Sequence, residues 1–170
     1  MPGKMKSMQK VVSNSSPIIH LAKIGKLGLL KDFFETVAVP EAVYRECAVE
    51  GKERKEVALI RNADWLKIVH VNDKKIVRLL QSSTDDGEAE AIALALEVGA
   101  DLILLDDSDA REKARLYGLK ITGTIGILLR AEKEGKLSSV KETLEELRIT
   151  GFWVDGELMS RLLGEGRKEG

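Results

Sequence analysis

Short apolar runs closed by polar clusters recur along this chain, and between them lie stretches whose apolar residues return every three or four positions. The first kind reads as buried strands and the second as helices packed by one face. Residues 10–13 begin a strand that stops in Asn14, Ser15 and Ser16. Pro17 suits the first turn of a helix whose apolar side is Ile18, Ile19, Leu21, Ala22 and Ile24, with Gly25 as its end. A helix over 27–34, a strand over 36–39 and a helix from Pro40 through Cys47 follow. Residues 50–62 are charged and helix-prone, 66–71 alternate like a strand, and 73–81 read as a helix. The polar break at 82–87 opens a helix to Glu97 that Gly99 closes. Then come a strand over 102–105, a helix over 110–117 stopped by Gly118, a strand over 119–121, helices over 123–134 and 138–148, and a short tail element over 151–163. Residues 1–9 read as a loose leader and 164–170 as a loose tail. Strands alternating with helices imply βαβ units: an α/β fold with a parallel sheet covered on both faces.

A chain of 170 residues suits one domain, 1–170, with a sizeable core. Its net charge of -1 gives no global pull toward nucleic acid, so such a contact has to use a local patch. One cysteine, Cys47, excludes an internal disulfide framework, and two separated histidines, His20 and His70, do not suggest a zinc cluster. Neither a signal-type apolar core nor a membrane-length apolar run is present, which points to a cytoplasmic protein with no membrane partner. Abundant Lys and Glu beside only two glutamines hint at a thermophilic source.

The chemistry concentrates where strands end and helices begin. The run 102–105 ends in two acids, Asp106 and Asp107. In an open parallel sheet, ligands bind just outside the carboxyl ends of the strands. Two carboxylates there repel each other unless a positive group sits between them, and a hard divalent cation takes oxygen ligands. The plainer reading is that one acid caps the next helix and the other is solvated. Glu88 shares a helical face with Ala91, Ile92 and Ala95, whereas Glu90 shares one with Glu97 and is expected in solvent. Glu88 also completes a capping box with Asp85, a role that needs no metal. Glu46 lies late in its helix beside Arg45, where a solvated face is the ordinary outcome.

Five stretches in this order resemble the PIN domain, the fold of many Mg²⁺-dependent ribonucleases and VapC-type toxins: 12–19, 39–46, 87–92, 104–111 and 123–128. The match is closest to a poorly characterised prokaryotic branch, and it spans the chain from Val11 to about Leu163. The resemblance implies a three-layer α/β/α fold with a five-stranded parallel sheet of order 3-2-1-4-5. Strands 1 and 4 are then neighbours, and residue 14 comes beside Asp106 and Asp107, with Glu46 and Glu88 on adjoining helices. It implies Mg²⁺ or Mn²⁺ held by Asn14, Glu46, Glu88, Asp106 and Asp107, with Glu88, Asp106 and Asp107 catalytic, and attack of an activated water on a phosphodiester. The first acid of the family's pattern is Asn14 here, a neutral residue offering one carbonyl oxygen.

The remaining candidates have plain alternatives. Ser15, Ser16 and Thr124 suit either a phosphate or metal-bound water, or local capping, which the positions favour. Arg111 is placed to hold Asp106 or Asp107 or to contact RNA phosphate. Arg54, Lys55, Arg61, Lys67, Lys74, Lys75 and Arg78 fit a solvated face better than an RNA surface, because acids are interleaved with them. Trp65, Phe152 and Trp153 lie among apolar residues and read as core or interface rather than as base-stacking platforms. The leading expectation is a metal-dependent endoribonuclease acting on single-stranded or structured RNA, the toxin of a toxin–antitoxin pair, present as a homodimer. The alternative is a catalytically inactive module of the same fold binding RNA or a protein. A phosphatase or receiver-like domain ranks far below both, because Asn14 stands where its nucleophilic Asp would be.

Overall fold

The structure is a computed structural model that describes residues 9–49 and 54–152. The chain divides into two compact units, Met1–Ile127 and Leu128–Gly170. In chain order the first unit holds β1 (Val11–Ser13), α1 (Ser15–Lys23), α2 (Gly28–Phe34), β2 (Val37–Pro40), α3 (Glu41–Ala48), α4 (Arg54–Arg61), β3 (Leu66–Val69), α5 (Lys74–Gln81), α6 (Asp86–Val98), β4 (Leu102–Leu104), α7 (Ser108–Leu116), β5 (Ile121–Thr122) and the start of α8 (Thr124–Lys133). The second unit holds the rest of α8 and α9 (Val140–Ile149).

The five strands form one sheet of order β3-β2-β1-β4-β5, and every pairing is parallel. This is the α/β architecture and strand order that the chain's resemblance implied. Val11, Val12 and Ser13 are all buried, as are Ile103 and Leu104, so these central strands are continuous runs rather than alternating ones. That pattern belongs to strands covered on both faces. β1 pairs with β4 in the register Ser13 to Leu104, and the Asn14 N–H donates to the Leu104 carbonyl at 3.0 Å. All five carboxyl ends therefore lie along one edge, with Asn14 and Asp106 just beyond two neighbouring strands.

Helix α6 carries its chemistry to that edge. Gly87, Ala89, Ala91, Ile92, Ala93, Leu94 and Ala95 are all buried, so the helix is apolar nearly all round and sits inside the fold. The alanines let β1, β2, β4, α3 and α5 approach it closely. Gly99 takes φ +64° as the left-handed residue that ends it.

Several element ends fall a residue or two from the sequence pattern, and two of them do so for clear local reasons. Asp73 is not the first residue of α5 but its cap, accepting from Lys75 N and Ile76 N at 3.2 Å each. The last strand begins at Ile121 rather than at Leu119, because Leu119 N is still bonded to the Ala114 carbonyl at the end of α7. Trp65 is 9% exposed and belongs to the core, as its apolar neighbours suggested. In the second unit, Ser139 caps α9 by accepting from Glu142 N, and Glu132 Oε2 accepts from Val140 N. Apart from residues 9, 151 and 152, the expected leader and the tail element over 151–163 lie outside the described residues, as does Trp153. Among the described residues, no helix is long and apolar enough to cross a membrane.

Candidate active site

The acids beyond the sheet edge fall into two groups, held by different elements. The first group gathers around Gly87, in the opening turn of α6. A β-carbon built on Gly87 would lie 2.5 Å from Glu46 Oε1 and 3.5 Å from Asn14 Oδ1. Glu46 arrives from α3 and Asn14 from the N-cap of α1. Asn14 is only 5% exposed, its side chain makes no capping bond to α1, and its Oδ1 has no hydrogen-bond partner among the described residues. A buried carbonyl oxygen without a donor costs roughly 1 to 3 kcal/mol, so its retention in a folded core calls for a reason.

Glu88 follows Gly87 and joins this group while also capping its own helix. Glu88 N donates to Asp85 Oδ1 at 2.8 Å, and Asp85 N donates to Glu88 Oε1 at 3.2 Å, which completes the capping box. Partial burial raises the Glu88 pKa above its ordinary value, and the charges of Asp85, Asp107 and Glu46 push it further up, against the backbone bond from Asp85. The capping role and the inward-facing role therefore coexist on one side chain. Asp107 stands at the N-cap of α7, where its Oδ2 accepts from Ala110 N at 2.9 Å, and its side chain is otherwise exposed.

The second group is built on Asp106. Its Oδ2 accepts from Ser16 Oγ at 2.8 Å and from Thr124 Oγ1 at 2.7 Å, and its Oδ1 accepts from Thr124 N at 2.7 Å. Ser16 and Thr124 were expected to cap locally, but both hydroxyls reach across the fold to this carboxylate instead. The packing here leaves no room for a side chain at residue 123. A β-carbon on Gly123 would stand 2.6 Å from Asp106 Oδ1, 2.7 Å from the Leu105 carbonyl oxygen and 3.1 Å from Arg111 Nη1. Arg111 Nη1 itself donates to the Leu105 carbonyl at 3.3 Å. Ser15 is half-buried in the first turn of α1, and its carbonyl accepts from Cys47 Sγ at 3.9 Å. Burial drives the Cys47 thiol pKa upward, with Glu46 and Glu56 adding to the effect, which makes it an inert apolar side chain.

One expectation is corrected. Glu90 is half-buried rather than solvated, because its Oε1 accepts from Ala42 N in the first turn of α3 at 3.2 Å. Glu97, its neighbour one heptad on, stays exposed but accepts from Asn72 N and Nδ2 and from Asp73 N. A heptad places two side chains on one face; it does not say that solvent lies there.

Gly87 and Gly123 escaped the sequence reading. Gly87 lies in the opening turn of α6, where glycine costs helix stability relative to alanine, whereas Gly123 stands just before α8, where glycine is an ordinary cap residue. The cost at Gly87 is a signal of close approach; Gly123 has a close approach with no such signal.

The donor set near Gly87 is all oxygen, which suits a hard cation that keeps several waters. Among the described residues, no three His, Cys, Asp or Glu side chains come close enough together to hold an ion by themselves. Beside Glu46 and Glu88, the further oxygen in this group is the buried carbonyl of Asn14.

A five-stranded parallel sheet of order 3-2-1-4-5, with carboxylates at the carboxyl ends of its central strands, is a PIN-like α/β fold. A family model described as a PIN domain matches residues 10–167, so the chain belongs to the PIN-domain family. No curated protein matches the chain.

Proposed function

We propose that this protein is a Mg²⁺- or Mn²⁺-dependent endoribonuclease whose site is formed by Asn14, Glu46, Glu88 and Asp107. The observation that carries the reading is the buried Asn14 Oδ1, without a donor, lying with Glu46 Oε1 around the space at Gly87. A cation bound there would lower the pKa of a water for attack on a phosphodiester and offset charge on the phosphate. Glu88 is the group suited to receive the proton of that water. Its Oε1 is engaged by Asp85 N, so Oε2 takes the proton, and its raised pKa brings it toward the working range of a general base. Arg111 and Ser15 are the proposed contacts to RNA phosphate. Thr124 contributes through Asp106, to which its hydroxyl is bound.

The same reading carries a single functional domain, a cytoplasmic setting, a homodimer and a small antitoxin partner. A thermophilic origin fits the Lys and Glu content.

One observation favours the second reading, an inactive module binding RNA or protein: Asn14 is neutral, and Asp106 already accepts three hydrogen bonds from protein donors. Titration with Mn²⁺ followed by melting separates the two. A ligand at about a hundred times its Kd stabilises by about 2.7 kcal/mol, a rise of about 5 to 10 °C for a chain of this size. Mixed-sequence RNA should then be cut in Mn²⁺ and left whole in chelator. No rise and no cleavage would leave the binding module as the reading.

A further inference from the structure

The neighbouring acids Asp106 and Asp107 have opposite surroundings. Asp106 is half-buried and accepts three hydrogen bonds, from Ser16 at the start of α1 and from Thr124 at the start of α8. Thr124 is fully buried, and Gly123 is packed so tightly that no side chain fits between Asp106, the Leu105 carbonyl and Arg111. Asp107 is exposed, receives one backbone bond, and is one of the charges that raise the pKa of Glu88. An acid that works as a ligand needs free lone pairs directed at the site. An acid that works as a clasp needs them filled by protein donors, which makes each bond charge-assisted and strong.

We infer that the pair is divided in labour: Asp106 is a positioning residue that ties the first turns of α1 and α8 to the end of β4, and Asp107 is the acid of the pair that serves the site. The clasp acts through Asn14, which is the N-cap of the helix that Ser16 anchors. Loosening it lets the start of α1 drift from the sheet edge, and Asn14 drifts with it. Asp107 has no such duty, because Asn caps a helix about as well as Asp does. This inference rests on the nuclease reading above for what the site does, but not for the clasp itself.

The experiment uses the full chain as wild type, Asp106→Asn, Asp107→Asn, Thr124→Val and Thr124→Ser. Thr124→Val keeps the shape and removes the hydroxyl; Thr124→Ser returns it. Melting in chelator reads the clasp. Asp106→Asn and Thr124→Val should fall by about 5 to 10 °C, since a bond to a charged partner is lost from a buried place. Asp107→Asn and Thr124→Ser should stay within about 3 °C of wild type. With Mn²⁺ at a temperature well below every melting point, Thr124→Val should lose about tenfold in kcat on RNA. Its Mn²⁺ concentration for half-maximal rate should rise as well, by about threefold, because Asn14 is displaced with the start of α1, and Thr124→Ser should recover both. Asp107→Asn should raise that Mn²⁺ concentration about tenfold or more while its melt in chelator stays level.

An Asp106→Asn protein that melts like wild type in chelator and loses its Mn²⁺ response would make Asp106 the ligand and overturn the inference. A Thr124→Ser protein as impaired as Thr124→Val would overturn it as well. If wild type neither gains stability from Mn²⁺ nor cuts RNA, the nuclease reading falls. The chelator melts of the two Thr124 variants then decide the clasp, a drop in Thr124→Val alone sustaining it and equal melting refuting it.

Discussion

Glu46 Oε1 and the missing side chain of Gly87 occupy adjoining space: a β-carbon on residue 87 would stand 2.5 Å from that oxygen. The glycine is therefore the opening through which a carboxylate on α3 reaches the start of α6. Gly87→Ala separates fold from function. Alanine is worth up to about 1 kcal/mol over glycine in a helix, and the clash is with the flexible end of a side chain rather than with backbone. The melting temperature in chelator should stay level or rise, while the Mn²⁺-induced shift shrinks by half or more because Glu46 has been displaced. Paired melting curves with and without Mn²⁺ measure both.

Gly123→Ala should behave in the opposite way. Here the new methyl meets the Leu105 carbonyl oxygen at 2.7 Å, and backbone cannot move aside as a side chain does. Overpacking of this kind costs about 1 to 3 kcal/mol. Urea unfolding should show the loss in chelator, with the midpoint lowered and the slope unchanged.

Asn14→Asp adds a charge where the family's pattern carries an acid. Two unit charges about 4 Å apart interact by roughly 4 kcal/mol at an effective dielectric of 20, and desolvation and the surrounding acids cancel much of it. A gain of about tenfold to a hundredfold in Mn²⁺ affinity remains, roughly 1.4 to 3 kcal/mol. In chelator the same variant should melt lower, because it adds a buried carboxylate beside Glu46 and Glu88. If neither curve moves, Asn14 does not share space with those acids.

Glu88 sets a pH dependence whose sign follows from its raised pKa. The folded protein binds that proton more tightly than the unfolded chain, whose carboxyl titrates near 4.5. The contribution to stability is fully present below that value and is lost as pH rises through the raised folded pKa. Glu88→Gln keeps a capping-box side chain without the charge. In chelator, its stability relative to wild type should improve as pH is taken from about 4 to about 7. Guanidinium unfolding at the two pH values provides the test; a difference that stays constant would mean that Glu88 titrates normally.

Much of the fold was legible in the linear pattern, for a reason that lies in the backbone. Continuous apolar runs such as Leu102–Leu104, separated by helical periodicity, leave little choice but a parallel sheet covered on both faces. Glycines at 25, 99, 118 and 135 mark helix ends because they take positive φ, a requirement of a few consecutive residues. Glu88 in its capping box with Asp85 was legible for the same reason, since its partner lies three residues away. The resemblance supplied the strand order, and with it the placing of Asn14 and Asp106 beyond the ends of two neighbouring strands.

What only the tertiary structure decided is the duty of each acid. Asp106 and Asp107 are adjacent in sequence and chemically identical, yet one is bound by Ser16 and Thr124 and the other lies exposed. Those donors are 90 and 18 residues from Asp106, and no local pattern records a bond over such a separation. Glu90 was misplaced on the same ground, because the N–H that holds it belongs to Ala42 on another helix. Sequence fixes what a short stretch of backbone can do. Which side chains share a few ångströms of space depends on how distant elements pack, and that is where charge, burial and hydrogen-bond partners are set.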